Sequence, residues 1–330
     1  MTDRITLAHG SGGRATSELI GAVFAKYFQN DVLDQMEDAA VVSGSGRIAM
    51  TTDSFVVDPI EFPGGDIGRL CVCGTVNDLL MSGATPKYLT CGFILEEGVE
   101  MATLERVVAS MAETAKEAGV LIVAGDTKVI QGKGGIYINT AGVGFVPDTV
   151  NVSSSHLEEG DVILVSGEMG EHHATILSQR MEIENDMKSD NAPLCEMVEK
   201  LKAAGIPLHA MRDVTRGGLG TVLHEFAVAS QCCIEIQETK IPVSPAVKGF
   251  ASLLGLDPLY MGNEGKMILA LPAKYADIAL DCMKSSKYGE KAAVIGEVTH
   301  EKDSKVLLHT AVGGMRVVTE LIGEGLPRIC

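Results

Sequence analysis

The residues best suited to chemistry in this sequence are a set of separated aspartates beside small residues. Asp38 lies in Glu37-Asp38-Ala39-Ala40-Val41, Asp53 in Thr51-Thr52-Asp53-Ser54, and Asp78 follows Asn77 in an otherwise apolar stretch. Asp126 lies in Gly125-Asp126-Thr127-Lys128, and Asp213 in Arg212-Asp213-Val214-Thr215-Arg216-Gly217-Gly218. Such carboxylates are costly to bury unless paired or bound to a cation. Mg2+ takes one or two carboxylates together with phosphate oxygens. Each aspartate alone reads as a cap or turn residue. As a set they read as ligands through which Mg2+ would hold ATP, a reading that rests in part on the resemblance described below.

Two glycine-rich segments add to this. His9-Gly10-Ser11-Gly12-Gly13-Arg14-Ala15 places Gly10, Gly12 and Ala15 at the spacing of a dinucleotide fingerprint. That pattern also needs a second strand ending in an acid, and residues 30–36 are polar and irregular. A glycine loop whose N–H groups cover phosphates fits better, with a flexible arm as the plain alternative. Gly262-Asn263-Glu264-Gly265-Lys266 sets a carboxylate between glycines just ahead of a strand, where the plain alternative is a turn. The sequence has no Gly-x-x-x-x-Gly-Lys-Ser/Thr, which excludes a P-loop. It closes on Leu326-Pro327-Arg328-Ile329-Cys330, a thiol expected on a mobile tail with Gly323 and Gly325. Arg328 favours the thiolate, and the adjacent terminal carboxylate opposes it.

Alternating strands and helices must position these groups. Strands are expected over 48–57, 88–95, 120–124 and 136–146, with helices over 66–82 and 101–118. Asp66 is placed to cap the first helix, and Gly119 to stop the second. The N-terminal glycine segment fits a short strand followed by a helix. Past a polar stretch at 147–160, strands are expected at 162–165, 233–237, 267–271, 293–298 and 306–310. Helices are expected at 172–180, 194–204, 219–229, 245–254 and 274–284. The organisation expected is an N-terminal domain (1–150), a C-terminal α/β domain (151–320) and a tail (321–330), with ATP binding and dimerisation assigned to the N-terminal domain on the resemblance described below.

Composition sets limits on function. The chain has 330 residues with 27 Lys and Arg against 44 Asp and Glu, a net charge of −17. It lacks the basic excess that nucleic-acid binding exploits. No apolar run approaches a membrane span, and no signal core follows Met1-Thr2-Asp3-Arg4, so a cytoplasmic protein is expected. There the 8 cysteines should be reduced. With no Cys-x-x-Cys, structural zinc is not expected.

Read together, the blocks His9-Gly10-Ser11-Gly12-Gly13, Gly125-Asp126-Thr127-Lys128, Asp213-Val214-Thr215-Arg216-Gly217-Gly218, Asn263-Glu264-Gly265-Lys266 and Pro327-Arg328-Ile329-Cys330 resemble the HypE family of hydrogenase-maturation carbamoyl dehydratases. The similarity runs from residue 5 to the last residue, and the terminal block is its most specific part. The wider superfamily includes aminoimidazole ribonucleotide synthetase, selenophosphate synthetase and thiamine-monophosphate kinase. The resemblance implies a two-domain α/β fold of the α+β type, with N-terminal mixed sheets pairing in a homodimer.

It also implies a function. A carbamoyltransferase, HypF, would load a carbamoyl group onto Cys330. ATP-dependent dehydration would turn that group into a thiocyanate, and the cyanide would pass to an iron held by a HypC–HypD complex. His9 and Glu264 are the expected bases, and Lys128 would neutralise the transferring phosphoryl group. Gly10, Gly12, Gly13, Asp53 and Thr127 would join the nucleotide site, with Asp38, Asp78, Asp126 and Asp213 as Mg2+ ligands. Glu171-His172-His173-Ala174-Thr175 departs from the family pattern, which has Asp-His-Gly-Ala-Thr. A small-molecule kinase or synthetase of the same superfamily is the alternative, as is a non-catalytic module whose tail docks a partner. Neither relative nor module requires both a terminal thiol and ATP.

Overall fold

The computed structural model describes residues 4–10, 14–35, 42, 44, 46–299 and 303–321. Within these the chain divides into two compact units. One holds the described residues up to Leu79 together with Ala84–Asp148, and the other holds Leu80–Gly83 and the residues from Thr149 onward.

The first unit opens with a 3-10 turn, Leu7–Gly10, where a strand is expected from sequence. A helical run follows: α1 (Arg14–Leu19), a π-helical turn at Ile20–Phe24, and α2 (Ala25–Phe28). Then come β1 (Arg47–Phe55), the two-residue strands β2 (Glu61–Phe62) and β3 (Gly65–Asp66), and α3 (Ile67–Met81). The Asp66 carboxylate accepts the Arg69 N–H at 2.9 Å and caps α3 as its sequence suggests. β4 (Thr85–Glu96), α4 (Met101–Ala118) and β5 (Leu121–Ile130) form a parallel crossover, and β6 (Ile136–Val146) completes the unit.

The sheet order is β1-β6-β4-β5. Both long helices cover one face of this sheet. Thr140 of β6 bonds to the Cys71 carbonyl oxygen of α3, and Cys91 of β4 meets Met111 of α4. β1 pairs antiparallel with β6, so Ile48, Met50 and Thr52 share the opposite face with Phe145, Val143 and Ala141. Met50 is 76% exposed there.

The second unit comprises β7 (Asp161–Val165), α5 (Glu171–Arg180), α6 (Cys195–Ala203), β8 (Ala210–Asp213), α7 (Gly218–Ser230) and β9 (Cys233–Gln237). It continues with α8 (Pro245–Leu254), β10 (Met267–Pro272), α9 (Ala276–Lys284), β11 (Ala293–Thr299), β12 (Val306–His309) and β13 (Met315–Val318). The strand order is β13-β12-β9-β11-β7-β10-β8. Its core joins Ile163, Val165, Ile234, Ile268 and Ile295 of the sheet to Leu219, Leu223 and Phe226 of α7. Among the described residues no helix is long and apolar enough to cross a membrane.

Candidate active site

Residues of the first unit meet on β1 and α3. Asp53 and Thr51 point from β1 toward the helix, as alternation along a strand requires. The Thr51 hydroxyl donates to the Asp78 carboxylate at 2.8 Å. One turn earlier on α3, Gly74 leaves room for the Asp53 carboxylate and the Phe55 ring, both of which a Cβ would touch. Asp53 and Asp78 therefore lie along one strand–helix seam, each half-buried.

Asp126 does not join them. The sequence suggests a strand ending at 124, whereas β5 continues through Gly125-Asp126-Thr127-Lys128 in parallel register with β4. Asp126 stands opposite Gly92, one residue out of phase with Cys91 and so on the sheet face away from α3 and α4. Its carboxylate accepts from the Lys128 ammonium at 2.7 Å, with the side chains 66% and 64% exposed. That hydrogen bond holds the Asp126 carboxyl below its ordinary value. Thr127 is of opposite parity, facing the helices.

His9 is buried at the end of the opening 3-10 turn, which packs against β5. The Thr6 N–H donates to its Nδ1 at 3.0 Å, with the Thr6 hydroxyl 3.1 Å from the same nitrogen. Gly10 closes that turn. Gly12, Gly13, Asp38 and Cys330 lie outside the described residues.

In the second unit two sequence blocks become neighbours. β8 ends at Asp213 and pairs antiparallel with the start of β10, setting Asp213 opposite Met267. The Val214 N–H donates to the Lys266 carbonyl at 2.9 Å, and the Asn263 N–H donates to the Val214 carbonyl at 3.0 Å. The Asn263 side chain accepts the Gly170 N–H at 2.7 Å and donates to the Val214 carbonyl at 2.9 Å. Glu264 is buried within this brace.

One participant has no signal in the sequence. Asp190, in the irregular stretch between α5 and α6, accepts the N–H groups of Glu264 and Gly265 at 3.2 Å each and pairs with the Lys266 ammonium at 3.4 Å. Nearby, His172 and His173 start α5 as the sequence suggests, but both rings are buried, and burial pushes each imidazole down to about 4.

Among the described residues no group of three or more His, Cys, Asp or Glu side chains is close enough to hold a metal. Asp78 faces the β1 seam, Asp126 sits on the other side of the sheet, and Asp213 belongs to the second unit. The 7 described cysteines form no disulfide.

Residues 36–146 match the family profile described as AIR synthase related protein, N-terminal domain, and residues 158–309 match its C-terminal domain counterpart. The carbamoyl dehydratase HypE of Escherichia coli (strain K12) is 47% identical over 99% of this chain and 100% of its own length. A crystal structure of the hydrogenase maturation protein HypE in complex with ATP superposes with a TM-score of 0.94 at 48% identity, over 98% of this chain and 99% of that one. The crystal structure of a HypE–HypF complex matches with a TM-score of 0.80 at 46% identity, over 92% of this chain and 99% of that one. Matched along nearly its whole length in both sequence and fold, the chain belongs to the HypE family of carbamoyl dehydratases, within the AIR synthase related proteins.

Proposed function

We propose that this chain dehydrates an S-carbamoyl group on its own Cys330 to a thiocyanate, using ATP, to supply the cyanide ligand of a [NiFe]-hydrogenase iron. The observation that carries this reading is the near-complete match to HypE in complex with ATP. The terminal Pro327-Arg328-Ile329-Cys330 supports Cys330 as the carrier. HypF, which is paired with HypE in a solved complex, is the proposed source of the carbamoyl group. A HypC–HypD complex is the proposed acceptor, and the cytoplasm the proposed location.

The reaction must remove one oxygen and two N–H protons from S–CO–NH2. Oxide is a hopeless leaving group. Attack of the carbonyl oxygen on the γ-phosphorus, with departure of ADP and loss of the first N–H proton, gives an imidate phosphate. Breaking its C–O bond then releases phosphate as the second N–H proton leaves, and S–C≡N remains. Such phosphoryl transfer depends mainly on positioning and charge neutralisation. Lys128 is the proposed cation at the phosphoryl group, and Thr127 and the Gly10, Gly12 and Gly13 backbone are proposed nucleotide contacts.

The Asp53 and Asp78 carboxylates beside the Thr51 hydroxyl offer hard oxygen donors that suit Mg2+. With Asp38 and Asp213, they are the residues we propose to hold it, and its chemistry there would be charge neutralisation of the nucleotide phosphates. Asp126 fits a different task, orienting Lys128.

We assign the two expected bases different roles. Nδ1 of His9 accepts an N–H, so the neutral ring carries its proton on Nε2. His9 is therefore proposed as a donor to developing negative charge, and Glu264 as the base. Ile48, Met50 and Ile94, exposed among the described residues on the sheet face away from α3 and α4, support pairing with a second copy of the chain.

The test is intact-mass measurement. Incubation with HypF, carbamoyl phosphate and ATP should add one carbamoyl group, and Mg-ATP should then remove the mass of one water. Cys330→Ala should abolish both changes, and Glu264→Gln only the second. A carbamoyl adduct that persists unchanged with Mg-ATP would sink the proposal.

A further inference from the structure

The loop 262–266 is held from three sides. Gly262 accepts the His173 N–H at 3.1 Å, Asn263 bridges Gly170 and Val214, and the remaining side is Asp190. The Asp190 side chain is 3% exposed and that of Lys266 11%. One carboxylate oxygen takes the Glu264 N–H, and the other takes the Gly265 N–H and the Lys266 ammonium. A Cβ at 265 would collide with the Asp190 carbonyl oxygen, so the approach is close enough to require glycine. The Asp190 segment is itself anchored, because the Ser189 hydroxyl contacts His172 Nδ1 at 2.7 Å and accepts the Asn191 N–H at 3.1 Å.

The partners that bond the Asp190 carboxylate here are all donors, two backbone N–H groups and an ammonium, while the Glu171 carboxylate lies near enough to feel its charge. A buried carboxylate that accepts successive backbone N–H groups and an ammonium fixes backbone direction and loses its unfavourable burial to that pairing. Glu264 lies in the clamped stretch, so its side chain leaves the loop in one direction.

We infer that Asp190 is a positioning residue, which aims Glu264 at the reacting group by clamping the Glu264-Gly265 backbone and neutralising Lys266. This rests on the reading of Glu264 as the base.

The test is single-turnover dehydration of the carbamoylated full-length chain. Asp190→Asn puts an amide NH2 among donors, and should slow dehydration by about 30-fold while the ATP KM stays within about threefold. Glu264→Gln should slow it by about 100-fold or more. The double variant should be no slower than Glu264→Gln alone, since a residue acting through another has nothing further to lose. Multiplying effects, or a slow Glu264→Gln beside a fast Asp190→Asn, would overturn the inference and leave the base reading standing. A normal rate for Glu264→Gln would remove the base reading and the inference with it. Should Asp190→Asn fail to fold, hydrogen exchange in the unaltered chain decides. Slow exchange at the Glu264 and Gly265 amides is expected, and exchange at the rate of open loops would overturn the clamp.

Discussion

The Thr6 N–H donates to Nδ1 of His9 at 3.0 Å, which leaves Nε2 as the protonated nitrogen of the neutral ring. A base at this position would have to release Thr6 before taking a proton at Nδ1. A hydrogen-bond donor needs no such change. His9→Gln, whose amide nitrogen can stand near the place of Nε2, should therefore keep dehydration within about tenfold of the parent. His9→Ala should lose about 100-fold, the usual size of one lost donor to developing charge. Carbamoylation should be intact in both. Equal loss in the two variants would restore the base role.

Lys128 and Asp126 form an exposed pair, worth less than about 1 kcal/mol to stability. Lys128→Met should leave the thermal midpoint almost unmoved. If Lys128 meets the transferring phosphoryl group, the same variant should lose ATP-dependent dehydration by about 100-fold. Calorimetry beside the intact-mass assay separates the two effects, and an active Lys128→Met would remove Lys128 from the site.

Much of this frame is legible in the sequence, for reasons that can be stated residue by residue. α4 matches its expected bounds because Leu104, Val107, Val108, Met111 and Ala115 repeat at helical spacing up to the left-handed Gly119. β6 and α8 also match. β5 runs on past Ala124 because its ladder to β4 is made by backbone groups, and the polar Asp126-Thr127-Lys128 side chains give no apolar alternation to mark it. β8 and β13 have four residues each, as does the expected β12, but Arg212-Asp213 and Arg316 interrupt the kind of apolar run that marks β12. The motif residues of the site carry local signatures. Asp190 carries none: its partners lie 74 to 76 positions away, and only the folded loop brings them to it.

The exposed apolar residues Ile48, Met50 and Ile94 of the first sheet should be masked by a second copy. Met50→Glu would place a charge at the centre of that apolar patch, where a packed partner could not solvate it. Sedimentation should report a dimer for the parent and a smaller species for Met50→Glu, with secondary structure retained because the residue touches solvent in the single chain. An unchanged dimer would move the interface elsewhere.

The buried His172 and His173 rings predict the direction of pH sensitivity. Each imidazole is held near 4 by burial, below its ordinary 6.5, so the unfolded chain binds protons that the folded chain excludes. The stability from this source is complete above the unfolded value of 6.5 and drains as pH falls toward 4, by at most about 3 kcal/mol for one ring. Urea titrations across that window should show a falling midpoint. His173→Gln removes one titrating ring and should flatten the fall relative to the parent. Equal slopes for the two proteins would show that His173 takes up its proton without unfolding.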